Sequence, residues 1–381
     1  MQAAAKSVAL AAALVATAAQ AEEGDKPELT LSSYAEAFYQ WNFARPGNNV
    51  TNARGFDNRH NTFTLSNVAL GASWDKSNVL GTVIFQAGHT PESYYLAEPS
   101  TPAAGTVGAT GAPVWKYVQE ADVGYRFPNK LIVKAGLFPS PCGPETFAIR
   151  NNWNWSRSNL FFGLPFYHAG ITAAYPVTSR WTIALAGFNG WNNIVDNNDA
   201  KSLMVQVNYE YEKLSAQLIY FGGIERAAGA AEGPAWRNMF DTFATYRATE
   251  KVTLLAHASA GFEPNRFGTS TWAASALYAR WRVVNPLYLS ARVDGFLEHA
   301  ARNANGTAAR LFWPGSWVTS GTATVTYKPH DSIGFTLEYR HDQAEAATYF
   351  DALAALTRRS QDTITLGLTA GFDWSPGAGR R

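Results

Sequence analysis

The chain has 381 residues, of which 14% are aromatic and 16% are charged, whereas a soluble domain averages roughly 25% charged residues. Apolar residues make up 46% of the chain although the mean hydropathy is only -0.19, so polar and apolar residues are finely mixed. The single cysteine, Cys142, excludes an intrachain disulfide and both zinc-finger and iron–sulfur spacings. A formal net charge of +1 provides no basic excess, so nucleic acid is not an expected partner.

The N-terminal segment has the pattern of a secretory signal peptide. Lys6 precedes a mostly apolar run over 8–18, and Ala-Gln-Ala at 19–21 forms the small-x-small site that signal peptidase cleaves. A membrane-anchoring helix needs about 20 apolar residues, so this run is too short, and no later stretch is long enough. We therefore predict cleavage of residues 1–21 and an exported single domain over 22–381. Removal of Lys6 leaves 30 basic and 30 acidic residues.

Most of the remaining chain alternates with a period of two. Between Leu203 and Tyr211 the odd positions are apolar or aromatic and most even positions are polar. The same pattern recurs from Leu287, from Ile333 and from Ile364. Successive side chains point to opposite faces of a strand, so these segments are predicted to be β-strands with one apolar face.

The connections between these segments are alternately short and long, which predicts the architecture. Seven short turns and eight long connections imply sixteen strands, and merging one hairpin would give fourteen. We predict an all-β fold, a transmembrane antiparallel β-barrel with short periplasmic turns and long extracellular loops. A large soluble β-sandwich or β-solenoid is the alternative. The short turns are predicted at 75–78, 128–130, 177–180, 212–213, 249–251, 284–286 and 328–332, and the long connections at 43–61, 91–112, 140–165, 190–201, 224–237, 263–270, 299–315 and 341–360.

Aromatic residues are predicted to form a belt at each membrane interface, as lipid-facing barrels require. Closure requires the first strand, over 29–41, to pair with the last, over 363–374, because an unpaired edge is not tolerated in lipid. Beside the short turns lie Trp74, Phe127, Tyr175, Trp181, Tyr211, Tyr246, Trp281, Tyr327 and Trp374, and toward the long loops lie Tyr39, Trp41, Trp115, Tyr220, Trp272, Trp317 and Tyr339.

Charged residues on the polar strand faces are predicted to line the channel. Both signs occur, so the sequence indicates no preference for anions or cations. The alternative is that many of these residues pair across strands and only stabilise the wall. The predicted pore-lining residues are Glu36, Lys116, Glu120, Asp122, Arg126, Lys134, Arg247, Arg292, Asp294, Glu298, Glu338 and Arg340, with Glu210, Asp241 and either Arg280 or Arg282 as further lumen charges.

The connection over 140–165 is the most distinctive loop of the sequence. Its length and its neighbouring Asn, Arg and Trp residues suggest amide donors, guanidinium groups and stacking faces for polar solutes such as sugars. We predict that it folds inward and narrows the pore, while an external cap packed on neighbouring loops is the alternative. The candidate constriction residues are Glu145, Arg150, Asn152, Trp153, Trp155 and Arg157.

A hydrolytic site is a weaker hypothesis. His257 and Ser259 lie on the same face of one predicted strand, but the sequence contains no nucleophile elbow and no identifiable third catalytic residue. We therefore expect no enzymatic activity, and we predict neither a metal site nor a cofactor.

Several stretches of the first 210 residues resemble β-barrel porins of the OmpL-like type. The resemblance begins in the segment from Tyr34 to Trp74. It continues in GLFPSPCGPETF over 136–147, in NNWNWSRS over 151–158 and in FNGWNNIVDNND over 188–199. It implies an outer-membrane channel for small hydrophilic solutes that works without a cofactor.

Together these observations predict a porin in the bacterial outer membrane that conducts small hydrophilic solutes by passive diffusion. Outer-membrane lipid and the solutes themselves are the expected partners. Sixteen-stranded general porins are often trimers, so a homo-oligomer is expected by fold analogy. A plugged barrel that binds a surface partner, and an outer-membrane hydrolase, are the competing hypotheses.

Overall fold

Strands dominate the computed structural model, which describes residues 28–95 and 113–376, so the predicted signal peptide lies outside the described residues. A short helix, α1 (His89–Tyr95), and three 3-10 turns (Pro113–Tyr117, Ile149–Asn151 and Leu160–Gly163) occupy connections. In the described part of the chain, no helix combines the length and apolar content needed to cross a membrane. The strands are β1 (Leu29–Asn42), β2 (Thr62–Lys76), β3 (Val79–Ala87), β4 (Val118–Arg126), β5 (Ile132–Pro139), β6 (Tyr167–Pro176), β7 (Trp181–Phe188), β8 (Ser202–Tyr211), β9 (Leu214–Ile224), β10 (Trp236–Arg247), β11 (Val252–Asn265), β12 (Gly268–Val284), β13 (Leu287–His299), β14 (Trp317–His330), β15 (Ile333–Ala344), β16 (Tyr349–Phe350), β17 (Leu356–Arg358) and β18 (Ser360–Trp374).

Sixteen of these strands form one closed antiparallel barrel, which confirms the predicted fold and strand number. Strands β1 to β15 pair in chain order, and β18 lies between β15 and β1. The two short strands β16 and β17 form a separate hairpin within the connection from β15 to β18.

The first and last barrel strands meet as predicted. The pairing of β1 with β18 runs without a register shift from Leu31 opposite Trp374 to Asn42 opposite Thr363. The sheet therefore has no edge strand with unpaired amides, which is the condition for crossing a lipid bilayer.

The alternation seen in the sequence separates an apolar outer face from an inner face. In β8, Leu203 and Val205 are 53% and 41% exposed, whereas Met204 and Gln206 between them are buried. A soluble protein would not expose such a continuous apolar surface, but a bilayer covers it.

The two ends of the barrel differ in their connections. At one end, here the short-turn end, seven connections contain two to five residues. At the other, the long-loop end, all connections but one contain at least eleven. This exception shows that the prediction of a long loop at 263–270 is wrong. Strands β11 and β12 stay paired up to Asn265 and Gly268, so only two residues connect them, and Gly268 adopts a positive φ there.

Aromatic side chains ring the short-turn end. Tyr175, Trp181 and Trp281 are 44 to 47% exposed on the outer face, as expected for an interfacial belt. At the other end, Trp272 lies toward the long loops as predicted, but it does not face the lipid. Trp272 is buried because it shares the inward face of β12 with Ala274 and Ala276.

The outer face should tolerate no charge at mid-height. We expect Leu218→Arg, in the middle of β9, to lower the free energy of unfolding in lipid vesicles by about 2 to 4 kcal/mol, because the guanidinium must enter hydrocarbon. Leu356→Arg is the matched control, since Leu356 lies in the separate hairpin and is 49% exposed, close to the 51% of Leu218. Equal destabilisation of the two variants in urea titrations would contradict a lipid-facing β9.

Candidate functional site

Charged side chains occur on the inner face of the barrel at several heights. Seven of the predicted pore-lining residues are buried inside it: Glu36, Asp122, Arg292, Asp294, Glu298, Glu338 and Arg340. Glu120, Arg126 and Lys134 are half-buried, and Arg247 is exposed at the short-turn end. Most of these groups have a partner on the protein, for example Lys134 with Asp122 at 2.8 Å and Arg126 with Asp75 at 2.6 Å.

The prediction that Lys116 lies on the fourth strand is wrong. Lys116 belongs to the 3-10 turn that precedes β4, and its ammonium group pairs with Glu92 of α1 at 2.5 Å. Pairing of β3 with β4 begins only at Val118, with a register irregularity beside it, so the alternation of β4 does not extend back to Lys116.

The connection from β5 to β6, residues 140–166, is here called the inward loop because it lies inside the barrel. Trp155, Arg157 and Leu160 are at most 1% exposed. The loop forms hydrogen bonds with inward-facing side chains of β1, β9, β10, β13, β14 and β15. It therefore crosses the interior from β5 and β6 to the opposite wall.

Carboxylates of the wall accept hydrogen bonds from the backbone of the inward loop. Glu338 accepts two, from the N–H of Trp155 at 2.6 Å and from the N–H of Ser156 at 2.9 Å. Three further wall acids each accept one: Asp241 from Gly143 at 2.9 Å, Glu36 from Ile149 at 3.1 Å and Asp294 from Asn159 at 2.8 Å.

Two wall arginines bind the carbonyl groups of the same loop. Arg292 donates to the carbonyl of Ser156 at 2.5 Å and pairs with Glu145 of the loop at 3.1 Å. Arg340 donates to the carbonyl of Arg157. Because both the N–H and the C=O groups of the loop are bound, these contacts fix its path.

The candidate constriction residues differ in what they contact. Trp153 packs edge-on against Tyr278 of β12, and Arg157 donates to three loop carbonyls. Glu145 accepts from the N–H and hydroxyl of Ser158, and Asn152 accepts from the N–H of Thr146. These four side chains therefore stabilise the loop itself or its contact with the wall.

Trp155 and Arg150 make two different kinds of contact with β18. The ring of Trp155 lies so close to Gly367 that a Cβ atom there would be 2.2 Å from it, so the site requires glycine. Arg150 is half-buried and lies 3.3 Å from Asp373, near the short-turn end. Among the six candidate constriction residues, Arg150 is thus a charged residue on the side of the inward loop that faces the short-turn end.

An apolar core inside the barrel was missed by the sequence analysis. Leu160 and Leu164 of the inward loop pack with Phe188, Phe221 and Phe296, which point inward from β7, β9 and β13. The available signal was the occurrence of phenylalanine at positions in phase with polar residues, as at Phe296 between Asp294 and Glu298. A strand with an apolar residue on its polar face indicates that something packs against that face.

Other long connections are also fastened to the barrel. Glu298 accepts hydrogen bonds from the N–H groups of Leu311, Phe312 and Trp313 at 2.7 to 3.0 Å. In the loop from β1 to β2, Arg54 pairs with Asp342 at 2.8 Å. Burial alone would lower the pKa of Arg54, but the carboxylates of Asp342 and Asp57 raise it above its ordinary value.

The geometry does not assemble the hypothetical hydrolytic site. His257 Nε2 lies 2.7 Å from Asp241 Oδ2, but among the described residues His257 Nδ1 and Ser259 Oγ have no hydrogen-bond partner. Both residues are buried. A serine nucleophile needs a hydrogen bond to its base and access to substrate, and neither is present here.

The barrel is similar to solved outer-membrane proteins. The anion-selective porin from Comamonas acidovorans has a TM-score of 0.58 at 10% identity, covering 91% of this chain and 100% of that chain. OmpF of Salmonella typhi, in complex with daunomycin, has a TM-score of 0.59 at 11% identity, with coverages of 91% and 98%. OmpT of Vibrio cholerae has a TM-score of 0.55 at 11% identity, with coverages of 92% and 100%. At these identities the likeness concerns the fold alone.

The family assignment comes from the sequence. No curated protein matches the chain. The model of one family, "Putative beta-barrel porin-2, OmpL-like", matches residues 28–377, a span that includes every strand of the barrel. The chain therefore belongs to the OmpL-like family of β-barrel porins.

Proposed function

We propose that this porin forms a passive diffusion channel for small hydrophilic solutes in the bacterial outer membrane, with the inward loop at its narrowest section. The observation that carries the proposal is the charged inner wall of a closed sixteen-stranded barrel whose outer face is apolar. A barrel of this strand number is wide enough to leave an aqueous channel beside a folded loop. Family membership agrees with this function.

Solutes would pass the inward loop on the side of β3, β4 and β5. Thr82, Glu120 and Lys134 face inward there and are only half-buried, whereas the wall acids opposite are occupied by the loop. Against β10, β11 and β12 the inward loop leaves a cavity of about 40 Å³, lined by Trp153, Tyr278 and their neighbours.

The proposal includes export with removal of residues 1–21, insertion into outer-membrane lipid and no catalytic step. A homo-oligomer is part of it, supported by the solved trimer form of Vibrio cholerae OmpT, which has a TM-score of 0.58 at 9% identity. In this proposal Glu120, Arg126, Lys134 and Arg247 line the open channel, and most of the buried wall charges hold the inward loop that narrows it. The six candidate constriction residues keep their place in that loop, and Lys116 has neither role.

A filled barrel that binds a surface partner is the second candidate. It is favoured by the apolar core that the inward loop forms with Phe188, Phe221 and Phe296 inside the barrel. The two candidates differ in one property, because only the first conducts ions.

We expect the purified protein to produce stepwise currents in a planar lipid bilayer. Neutral sugars of increasing size should reduce the conductance while they are small enough to enter, and the size at which this effect disappears measures the narrowest section. Heat-denatured protein from the same preparation is the control. Insertion without current would contradict the channel and favour the filled barrel.

The inward loop should set the conductance through its anchor on Glu338. We expect Glu338→Gln to lose an acceptor for the two loop N–H groups, weakening the anchor by about 1.5 to 3 kcal/mol, so that single-channel conductance rises and fluctuates more. Glu210→Gln is the control, because Glu210 is an exposed acid on the inner face of β8, near the short-turn end. Identical conductance in the wild type and both variants would argue against a loop-defined constriction.

A further inference from the structure

Four basic side chains occupy one part of the inner wall near the short-turn end. They are Arg247 of β10, Arg280 and Arg282 of β12 and Lys328 of β14, here called the cationic sector. Alternation points them inward, since Arg280 is in phase with buried Tyr278. Lys328 likewise lies over the inner face of β15, with its Cγ 3.6 Å from the position of a Cβ on Gly334.

None of the four forms an ion pair within residues 28–95 and 113–376. Arg247 and Arg282 donate to the turn carbonyls of Glu212 and Glu250, which are neutral acceptors. Arg280 stacks on the ring of Tyr288, 4.4 Å from its centroid, and its Nε is buried without a hydrogen-bond partner in the described part of the chain. A guanidinium that is held by its face keeps its N–H edge available for a carboxylate or a phosphate.

Positive charge accumulates in this part of the interior. Lys328 is repelled electrostatically by Arg280 and by Arg150 of the inward loop, and attracted by Asp331 of the adjacent turn. Between the bases the wall carries uncharged Tyr288, Ser290 and Thr326.

The wall acids on nearby strands do not balance this charge. Asp241, Asp294 and Glu338 lie farther from the short-turn end and accept hydrogen bonds from the inward loop. They are thus occupied at the level of the loop, whereas none of the four bases nearer the short-turn end forms an ion pair with a described acid. A charged surface inside a narrow passage concentrates ions of opposite sign.

We infer that the cationic sector binds small carboxylate or phosphate anions transiently and gives the channel a preference for anions. The bidentate fork of an arginine fits both ligand groups, and a lysine adds a point charge. This inference rests on the proposed channel function, and it concerns a selectivity that the mixed charges of the sequence did not indicate.

The test measures the reversal potential across a planar bilayer in a potassium chloride gradient. We expect the wild type to prefer chloride, and the variant R247Q/R280Q/R282Q/K328Q to lower the chloride-to-potassium permeability ratio about threefold or more. The control, R180Q/K130Q/K213Q/K251Q, removes four exposed bases from the turns at the same end and should leave the ratio nearly unchanged.

A second readout detects binding. Inorganic phosphate added on the side of the short turns should reduce the chloride current of the wild type and of the control, but much less that of the sector variant. Equal permeability ratios or equal inhibition by phosphate in sector variant and control would overturn the inference. A wild type that conducts without preference also contradicts it, whereas a wild type without any current contradicts the channel function itself.

Discussion

Backbone amides that leave bulk water need acceptors, and the interior of this barrel depends on how the wall supplies them to the inward loop. A neutral wall would leave the N–H groups of Gly143, Ile149 and Asn159 buried without partners, and burial of unpaired polar groups lowers the stability of the fold. Carboxylates on three different strands accept these hydrogen bonds instead, and a carboxylate on a fourth strand accepts two more from the loop. The loop therefore depends on the charged wall for its fold, and the acids of the wall stabilise the loop in addition to lining the interior.

This arrangement divides the inner charges by height. At the level of the loop, Arg292 and Arg340 are neutralised by acids and bound to carbonyl groups. Nearer the short-turn end, Arg280 and Lys328 form no ion pair within the residues that the structure describes. Basic residues on neighbouring strands thus have different roles, because only those at the height of the loop are bound to it.

The sequence was sufficient to predict the barrel, but it predicted only part of the candidate site. Alternation in segments such as Leu203 to Tyr211 is a local property, so strand number and the outward face could be predicted. The hydrogen bonds that Glu36 and Glu338 accept from the loop join residues more than 100 positions apart, and no local pattern encodes them. Residues 263–270 contain a proline and a glycine, which suggested a loop, yet tertiary pairing extends both strands through them. Lys116 was assigned to a strand that begins only two residues later, at Val118.

The seam between β1 and β18 also determines the order in which the barrel can form. Hairpins such as β11 with β12 join neighbouring segments and close small loops, whereas Gln40 must find Thr365 across 325 positions of chain. Closing so large a loop is entropically slow, and contacts of high sequence separation form late. The seam therefore cannot assemble until β18 is available, and until then β1 exposes a long unpaired edge, which is the kind of surface on which other strands can pair.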